Sequence, residues 1–258
     1  MTTPSLSVWA VPGLPRVKPG DDLAALLIKG LERGRIRPVA GDIVVVAQKI
    51  VSKAEGRVFD VARVTPSERA RELAEITGKD PRLLELVLSE STEVLRAKKN
   101  VIVVAHRLGL VMANAGIDQS NVEADEMAEP ALLLPIDPDK SAAELKGRLD
   151  AHFGLPLGVV ISDSIGRAWR LGTTGTAIGA AGVPSLIDQR GETDMNGRVL
   201  MVTETAFADS VATAAVLVMG EAAEGTPAAL VRLPRRDPPA PDKPASALVR
   251  PKNEDMFR

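Results

Sequence analysis

Residues 157–167 read Leu-Gly-Val-Val-Ile-Ser-Asp-Ser-Ile-Gly-Arg, an apolar run that leads directly into Asp163 and Ser164. The run predicts a buried strand over residues 157–162, with the acid at its end. Two other stretches, 114–121 and 219–225, also place oxygen-rich side chains directly after apolar residues. Because an acid at the end of a buried strand is a common active-site position, these three segments form the candidate site.

Strand and helix signals mix along the rest of the chain without a strict βαβ alternation, which predicts an α+β fold of mixed sheets with helices in two lobes. Strands are expected over residues 5–11, 43–47, 100–105, 108–113, 198–204 and 226–231. Capping sequences predict helix starts at residues 21–22, 65–68, 80–81 and 141–144, and an Ala-rich helix is expected over 206–219. The helix from 80–81 is expected to continue through Val94 and Leu95, and residues 48–56 to form a polar connection.

The composition excludes several classes of function. The 258 residues carry 32 Lys and Arg against 34 Asp and Glu, so no basic field exists for nucleic acid. There is no cysteine and there are only two histidines, which excludes a cysteine nucleophile, thiolate metal sites and a three-histidine zinc site. A metal would therefore be held mainly by oxygen, as Mg²⁺ and Mn²⁺ are. With no signal-peptide pattern and no apolar run of about 18 residues, we expect a cytoplasmic protein without a membrane span.

The composition changes near the C-terminus. Six prolines occur between residues 234 and 251. This density predicts an extended tail or linker outside the core, since proline cannot continue helices or central strands. The expected organisation is one domain over residues 1–233 and a Pro-rich tail over 234–258.

Four side chains of the candidate site have the chemistry of hard-cation ligands. Asp118, Asp163, Ser164 and Glu221 could converge on one or two divalent ions, although each could equally be an ordinary turn or cap residue. Lys53 lies on a connection that carries Lys and Glu, where a solvated loop is the ordinary interpretation. The glycine-rich stretch 172–182 does not fit the dinucleotide fingerprint, and no P-loop motif occurs, so a nucleotide would need another kind of site.

Taken in order, six segments resemble the coenzyme F420-0:L-glutamate ligase family, the γ-glutamyl ligases of deazaflavin cofactor biosynthesis. The resemblance covers roughly residues 5–233. It rests on the segments 12–23, 51–56, 114–122, 133–139, 163–167 and 202–221.

The resemblance implies a GTP-dependent ligase. It would join L-glutamate to the lactyl carboxylate of a phospholactyl deazaflavin, coenzyme F420-0, through an acyl phosphate, and then add further γ-linked glutamates. It also implies two divalent ions, Mn²⁺ or Mg²⁺, assistance by K⁺, and a family-specific α+β fold that forms an intertwined homodimer.

The resemblance also implies the site residues. Metal ligands would be Asp118 and Asp163 for one ion, and Ser164 and Glu221 for the other; Lys53, Asp118 and Asp163 would be the catalytic residues. Nucleotide contacts would fall on Leu14, Pro15, Arg16, Val17, Gln48, Lys49, Lys53, Asn121, Met219, Gly220, Glu221, Ala222, Ala223, Glu224, Gly225 and Thr226.

Two alternatives stay open. One is an amide ligase of the same fold that acts on a different phosphorylated acid. The other is a nucleotide- and metal-binding module without catalysis.

Overall fold

The computed structural model describes residues 4–120, 122, 127–234 and 240–256. The strands are β1 Ser7–Ala10, β2 Ile43–Ala47, β3 Val58–Asp60, β4 Ser91–Lys98, β5 Val101–His106, β6 Val111–Ala113, β7 Pro130–Leu132, β8 Gly158–Gly166, β9 Thr173–Ala181, β10 Leu186–Asp188, β11 Glu204–Ala206 and β12 Ala228–Arg232. The α-helices are α1 Leu23–Arg33, α2 Gln48–Ala54, α3 Glu68–Thr77, α4 Pro81–Ser89, α5 Pro138–Phe153 and α6 Phe207–Met219. This mixture confirms the α+β class.

A five-stranded sheet in the order β1-β12-β2-β8-β9 forms the larger part of the molecule. Its strands pair antiparallel except β2 and β8, which run parallel. Alternate residues of β2 face opposite sides: Val44 and Val46 pack with α1 and α5, whereas Val45 packs with α6. Both faces of the strand are thus covered, which explains why its sequence is a continuous apolar run.

The smaller part contains α3, α4, the two-stranded sheet β3-β7 and the three-stranded sheet β4-β5-β6. Its separate core includes Leu73, Leu84, Val87 and Ile102. No helix within the described parts of the chain is long and apolar enough to cross a membrane.

Several predicted elements are confirmed: the strands at 5–11, 43–47, 100–105, 108–113 and 226–231, the helix after 21–22 and the helix over 206–219 all match observed elements. Others need correction. The polar connection 48–56 is wrong, because residues 48–54 form α2. The α4 helix ends at Ser89, and Val94 and Leu95 lie in β4. The strand predicted over 198–204 is replaced by the short β11.

Helix starts and one strand end also shift. The caps are Ser67 for α3 and Asp137 for α5, not residue 65 or Ser141, because their side chains accept from the first-turn N–H groups. The β8 strand continues through Asp163 and Ser164 to Gly166 rather than ending before them, since it stays paired with β9 beyond a bulge after Ile161.

The segment 240–256 lies against the body of the protein. Ala245 is buried in the α6-side core, which contradicts the expectation that the tail takes no part in the core. The backbone of Lys243 bonds to Val183 and accepts from Ser185 Oγ, and the Lys252 ammonium pairs with Glu93 at 2.6 Å. The segment therefore contacts both the large sheet and the smaller part.

Candidate active site

The sheet order brings four predicted site segments to one edge. Ala47 at the end of β2 pairs with Ser162, which immediately precedes Asp163. β12 runs antiparallel to β2 and β1, so the loop 219–227 before it lies beside the ends of both strands. The Ala47 N–H donates to Pro227 and the Val11 N–H to Ala228, over 2.8 and 2.9 Å. Residues 12–17, the start of α2, β8 and the 219–227 loop therefore converge.

Helix α2 supplies two lysines to this edge. Lys49 and Lys53 are one turn apart, so they lie on the same face of the helix. Two like charges at this spacing are unfavourable alone, which favours an anion near them. The opposite face is anchored in the core through Ile50 and Val51.

Gln48, a predicted nucleotide contact, is the first residue of α2. Its side chain is buried, and its Oε1 accepts from Ser52 Oγ at 2.9 Å, which satisfies two polar groups inside the core. A contact from Gln48 would have to come from its backbone.

Asp118 follows a tight turn in which Asn114, Ala115 and Gly116 all have positive φ values of 52°, 54° and 68°. Its backbone pairs with Leu132, which fixes the direction of the side chain. The carboxylate accepts from the Ser120 N–H at 2.6 Å through Oδ1 and pairs with the Lys49 ammonium at 2.6 Å through Oδ2. Burial opposes ionisation, but these contacts outweigh it and lower the pKa of Asp118 below its ordinary value.

Asp163 has the opposite electrostatic balance. It is half-buried on β8, and its Oδ1 accepts a bond from the N–H of the adjacent Ser164 at 2.9 Å. Burial raises the pKa of Asp163 to about 6; the charges of Asp118 and Glu221 raise it further, while Lys49 acts against the shift. The three carboxylates and Lys49 therefore share one electrostatic environment.

The loop after α6 is exposed and turns at Gly220, whose φ is 75°. With its ψ of 175°, Gly220 has a backbone conformation that residues with a Cβ rarely adopt, so the turn favours glycine. Glu224 accepts from the Ala222 N–H at 2.8 Å, which folds the loop on itself and leaves Glu221 exposed.

The remaining predicted residues divide by exposure. Pro15 and Arg16 are exposed, Leu14 is half-buried, and Val17 belongs to the core. Asn121 lies outside the described residues. Sequence reasoning missed the contact of Ser120 Oγ with Lys49 at 3.0 Å; the signal available was the position of Ser120 two residues after Asp118.

The donor set suits hard cations. Asp118, Asp163 and Glu221 offer carboxylate oxygens and Ser164 a hydroxyl, which are the ligand types that Mg²⁺ and Mn²⁺ prefer. Within the described residues, no three His, Cys, Asp or Glu side chains already form a closed metal site. The set therefore fits ions that take one or two protein ligands each and complete their shells with phosphate or water.

Comparison with known proteins decides the family. The model of the F420-0:Gamma-glutamyl ligase family matches residues 13–232. The chain belongs to the F420-0:gamma-glutamyl ligase family.

Curated members of this family are similar over nearly the whole chain. The coenzyme F420:L-glutamate ligase of Methanothermobacter thermautotrophicus is 45% identical, with 98% of this chain and 99% of that protein covered. The ligase of the same name from Methanopyrus kandleri is 43% identical, with 99% and 98% covered. That of Natronomonas pharaonis is 47% identical, with 88% and 86% covered. The resemblance given by the sequence motifs is thus confirmed.

Proposed function

We propose that this chain joins L-glutamate to the lactyl carboxylate of coenzyme F420-0 at the expense of GTP, and then adds further γ-linked glutamates. The observation that supports this most is the convergence of Asp118, Asp163, Lys49 and the 219–227 loop at one sheet edge, in a chain that belongs to a family of γ-glutamyl ligases.

The proposed reaction begins with phosphoryl transfer, because a carboxylate is a poor acyl donor. The lactyl carboxylate takes the γ-phosphoryl group of GTP and GDP leaves. The amine of glutamate then attacks the acyl phosphate, the amide forms, and phosphate and a proton leave. No protein nucleophile is required, which suits a chain without cysteine.

The residues divide between phosphates and cations. Lys53 and Lys49 extend from one face of α2 and would bind the phosphates as cationic donors. Asp118 and Asp163 would hold one divalent ion, and Ser164 and Glu221 the other. When bound, such ions would offset the charge that gathers during phosphoryl transfer. Pro15, Arg16 and the 219–226 loop would line the nucleotide.

We also infer a homodimer and a cytoplasmic enzyme assisted by K⁺. The dimer has physical support in a group of strongly exposed apolar side chains, which a second copy would cover. These side chains are Trp169, Leu171, Met195, Met201 and Val202.

The test is a coupled assay that follows both products. Purified protein is incubated with GTP, Mn²⁺, K⁺, L-glutamate and coenzyme F420-0, and the products are identified by mass spectrometry. The proposal expects one glutamate added per step with equal GDP. If GDP is released with another phosphorylated acid but not with coenzyme F420-0, the protein is an amide ligase of different specificity. If neither the glutamate adduct nor GDP forms, a nucleotide- and metal-binding module without catalysis is the remaining candidate.

A further inference from the structure

We propose that Lys49 is a tethered counter-ion that occupies the Asp118 carboxylate until a divalent cation and the nucleotide enter together. The inference rests on the proposed function, from which it takes the ligand role of Asp118. It makes Lys49 a positioning residue with two alternative partners, Asp118 and the phosphates.

The contacts of Asp118 leave little room for a cation. Oδ1 accepts from the Ser120 N–H at 2.6 Å, and Oδ2 lies 2.6 Å from the Lys49 ammonium. Ser120 Oγ accepts a second bond from the same ammonium at 3.0 Å. An ammonium and a divalent ion on one carboxylate oxygen repel each other strongly at such distances, so a cation that binds Oδ2 must displace Lys49.

Lys49 is able to move without disturbing the fold. Its side chain is one-third exposed, at 33%, and its ammonium ends a flexible four-carbon stem. The helix that carries it is held by Ile50 and Val51 in the core. The N–H of Ala47, two residues earlier, donates to Pro227, so the backbone at this end of the helix stays fixed when the side chain of Lys49 moves.

The charges make the two events interdependent. The charges of Asp118 and Glu221 both act on Asp163, and the Lys49 ammonium acts on the same Asp163 carboxylate in the opposite direction. A metal ion alone would expel Lys49 from its partner and offer no replacement. A metal ion with a nucleotide brings phosphate oxygens, which are a new partner for the ammonium. Metal and nucleotide should therefore bind synergistically, with Lys49 as the coupling element.

The experiment titrates the full chain with Mn²⁺ and measures the free ion by electron paramagnetic resonance. This readout needs no enzymatic turnover. Wild type, Lys49→Gln, Lys49→Met and Lys49→Arg are titrated with and without a β,γ-imido analogue of GTP. Lys140→Gln is the matched control, since Lys140 is an exposed lysine in a loose pair with Glu144 at 3.9 Å. Circular dichroism verifies that each variant is folded.

The proposal expects Lys49→Gln and Lys49→Met to bind Mn²⁺ alone about tenfold more tightly than wild type, as for removal of one competing charge-assisted bond. The further gain on adding the GTP analogue should shrink by a similar factor. Lys49→Arg and Lys140→Gln should resemble wild type. Equal or weaker Mn²⁺ binding by both neutral variants would overturn the proposal.

Asp118→Asn separates this failure from failure of the proposed function. If Asp118→Asn loses Mn²⁺ binding while the neutral Lys49 variants match wild type, only the counter-ion role is wrong. If Asp118→Asn binds Mn²⁺ normally, Asp118 is not a ligand and both the metal assignment and the coupling fail. Glutamate addition in the coupled assay is scored independently of either result.

Discussion

The Asp139 carboxylate accepts the backbone N–H of Ala245 at 2.8 Å and so holds the C-terminal segment to the start of α5. The same Oδ1 accepts from the Ala180 N–H of β9 at 2.8 Å, and Oδ2 accepts from the Ser246 N–H at 3.1 Å. The Asp139 side chain therefore joins helix α5, strand β9 of the five-stranded sheet and the C-terminal segment. All three donors are main-chain N–H groups, so they stay in place when neighbouring side chains are substituted.

Asp139→Ala should lower the free energy of unfolding by about 2–3 kcal/mol, since it leaves backbone donors without a charged acceptor. Deleting residues 240–258 should also destabilise the chain, and the two changes should be less than additive. Urea denaturation of wild type, Asp139→Ala, the chain without residues 240–258 and the chain with both changes measures these effects. Glu144→Ala, at an exposed position on the same helix, is the control and should stay within about 0.5 kcal/mol of wild type. Full additivity would show that Asp139 does not act through the tail.

Two glycines should respond in opposite directions to alanine. In β9, a Cβ at Gly179 would lie 2.2 Å from the Pro138 carbonyl oxygen, so Gly179→Ala must push α5 away from the sheet. We expect a loss of about 2 kcal/mol or more. Gly147, inside α5, has open space around it, and Gly147→Ala should stabilise by about 0.5–1 kcal/mol. Thermal unfolding of both variants tests the pair; equal effects would refute the close approach of α5 and β9.

The sequence predicts best those elements whose burial is continuous. The β2 run Ile43–Ala47 has its observed bounds because both of its faces are covered. The sequence does not predict helix α2, because its buried side includes the polar residues Gln48 and Ser52. Their side chains hydrogen-bond to each other only once the helix has formed. The sequence predicts a helix at Val94 and Leu95, whereas they lie in β4, because this strand is only partly buried and lacks a clean alternation.

The site divides in the same way. The oxygen-rich segments are visible in the sequence, since each follows an apolar run. Their meeting at one edge depends on the parallel pairing of β2 with β8 and the antiparallel pairing of β12, which no local pattern encodes. The contact of Lys49 with Ser120 spans 71 residues and is likewise a product of the tertiary fold.

Glu90 should make stability depend on acid pH. Its carboxylate contacts Arg57 at 2.9 Å, Arg107 at 3.1 Å and His106 at 3.5 Å. Burial raises its pKa, but these three groups outweigh burial and lower the pKa to about 2. Because the folded pKa is below the unfolded value of about 4.3, the contribution is complete above that value and is lost as pH falls toward 2.

Glu90→Gln should therefore cost about 3 kcal/mol at pH 7, where it removes the negative charge that pairs with two guanidinium groups, and progressively less from pH 5 to pH 3. Urea denaturation at each pH measures the difference from wild type. Glu72→Gln, which breaks an exposed pair with Arg69, should show a small difference at every pH. A Glu90→Gln difference that stays constant with pH would contradict the assignment.

Lys53→Ala tests the phosphate role of α2. If the ammonium binds phosphate as a charged donor, its loss should weaken GTP use by about 1.5–3 kcal/mol, or roughly tenfold or more in kcat/KM. Steady-state kinetics with varied GTP measures this, and Lys140→Ala serves as the matched exposed control. Unchanged kcat and KM for GTP would contradict the phosphate role and indicate that Lys53 has only a structural role at the end of the helix.

Asp163→Asn should separate stability from activity. Burial, together with the charges of Asp118 and Glu221, raises the pKa of Asp163 to about 6, above the unfolded value of about 3.9. The ionised side chain therefore opposes folding increasingly as pH rises from about 4 to 6, and above pH 6 the opposition is complete. In chelator at pH 8, Asp163→Asn should be more stable than wild type by about 1–2 kcal/mol, with little difference at pH 4.

The same variant should lose glutamate addition and the stabilisation that Mn²⁺ gives wild type, because an amide cannot replace the charge that a ligand carboxylate supplies. Asp209→Asn is the matched control: Asp209 is also half-buried with a raised pKa, but it bonds to the Ala177 N–H and should keep glutamate addition. An Asp163→Asn protein that is destabilised in chelator at pH 8 would show that Asp163 supports the fold. An Asp163→Asn protein that still adds glutamate would show that Asp163 is not an essential metal ligand.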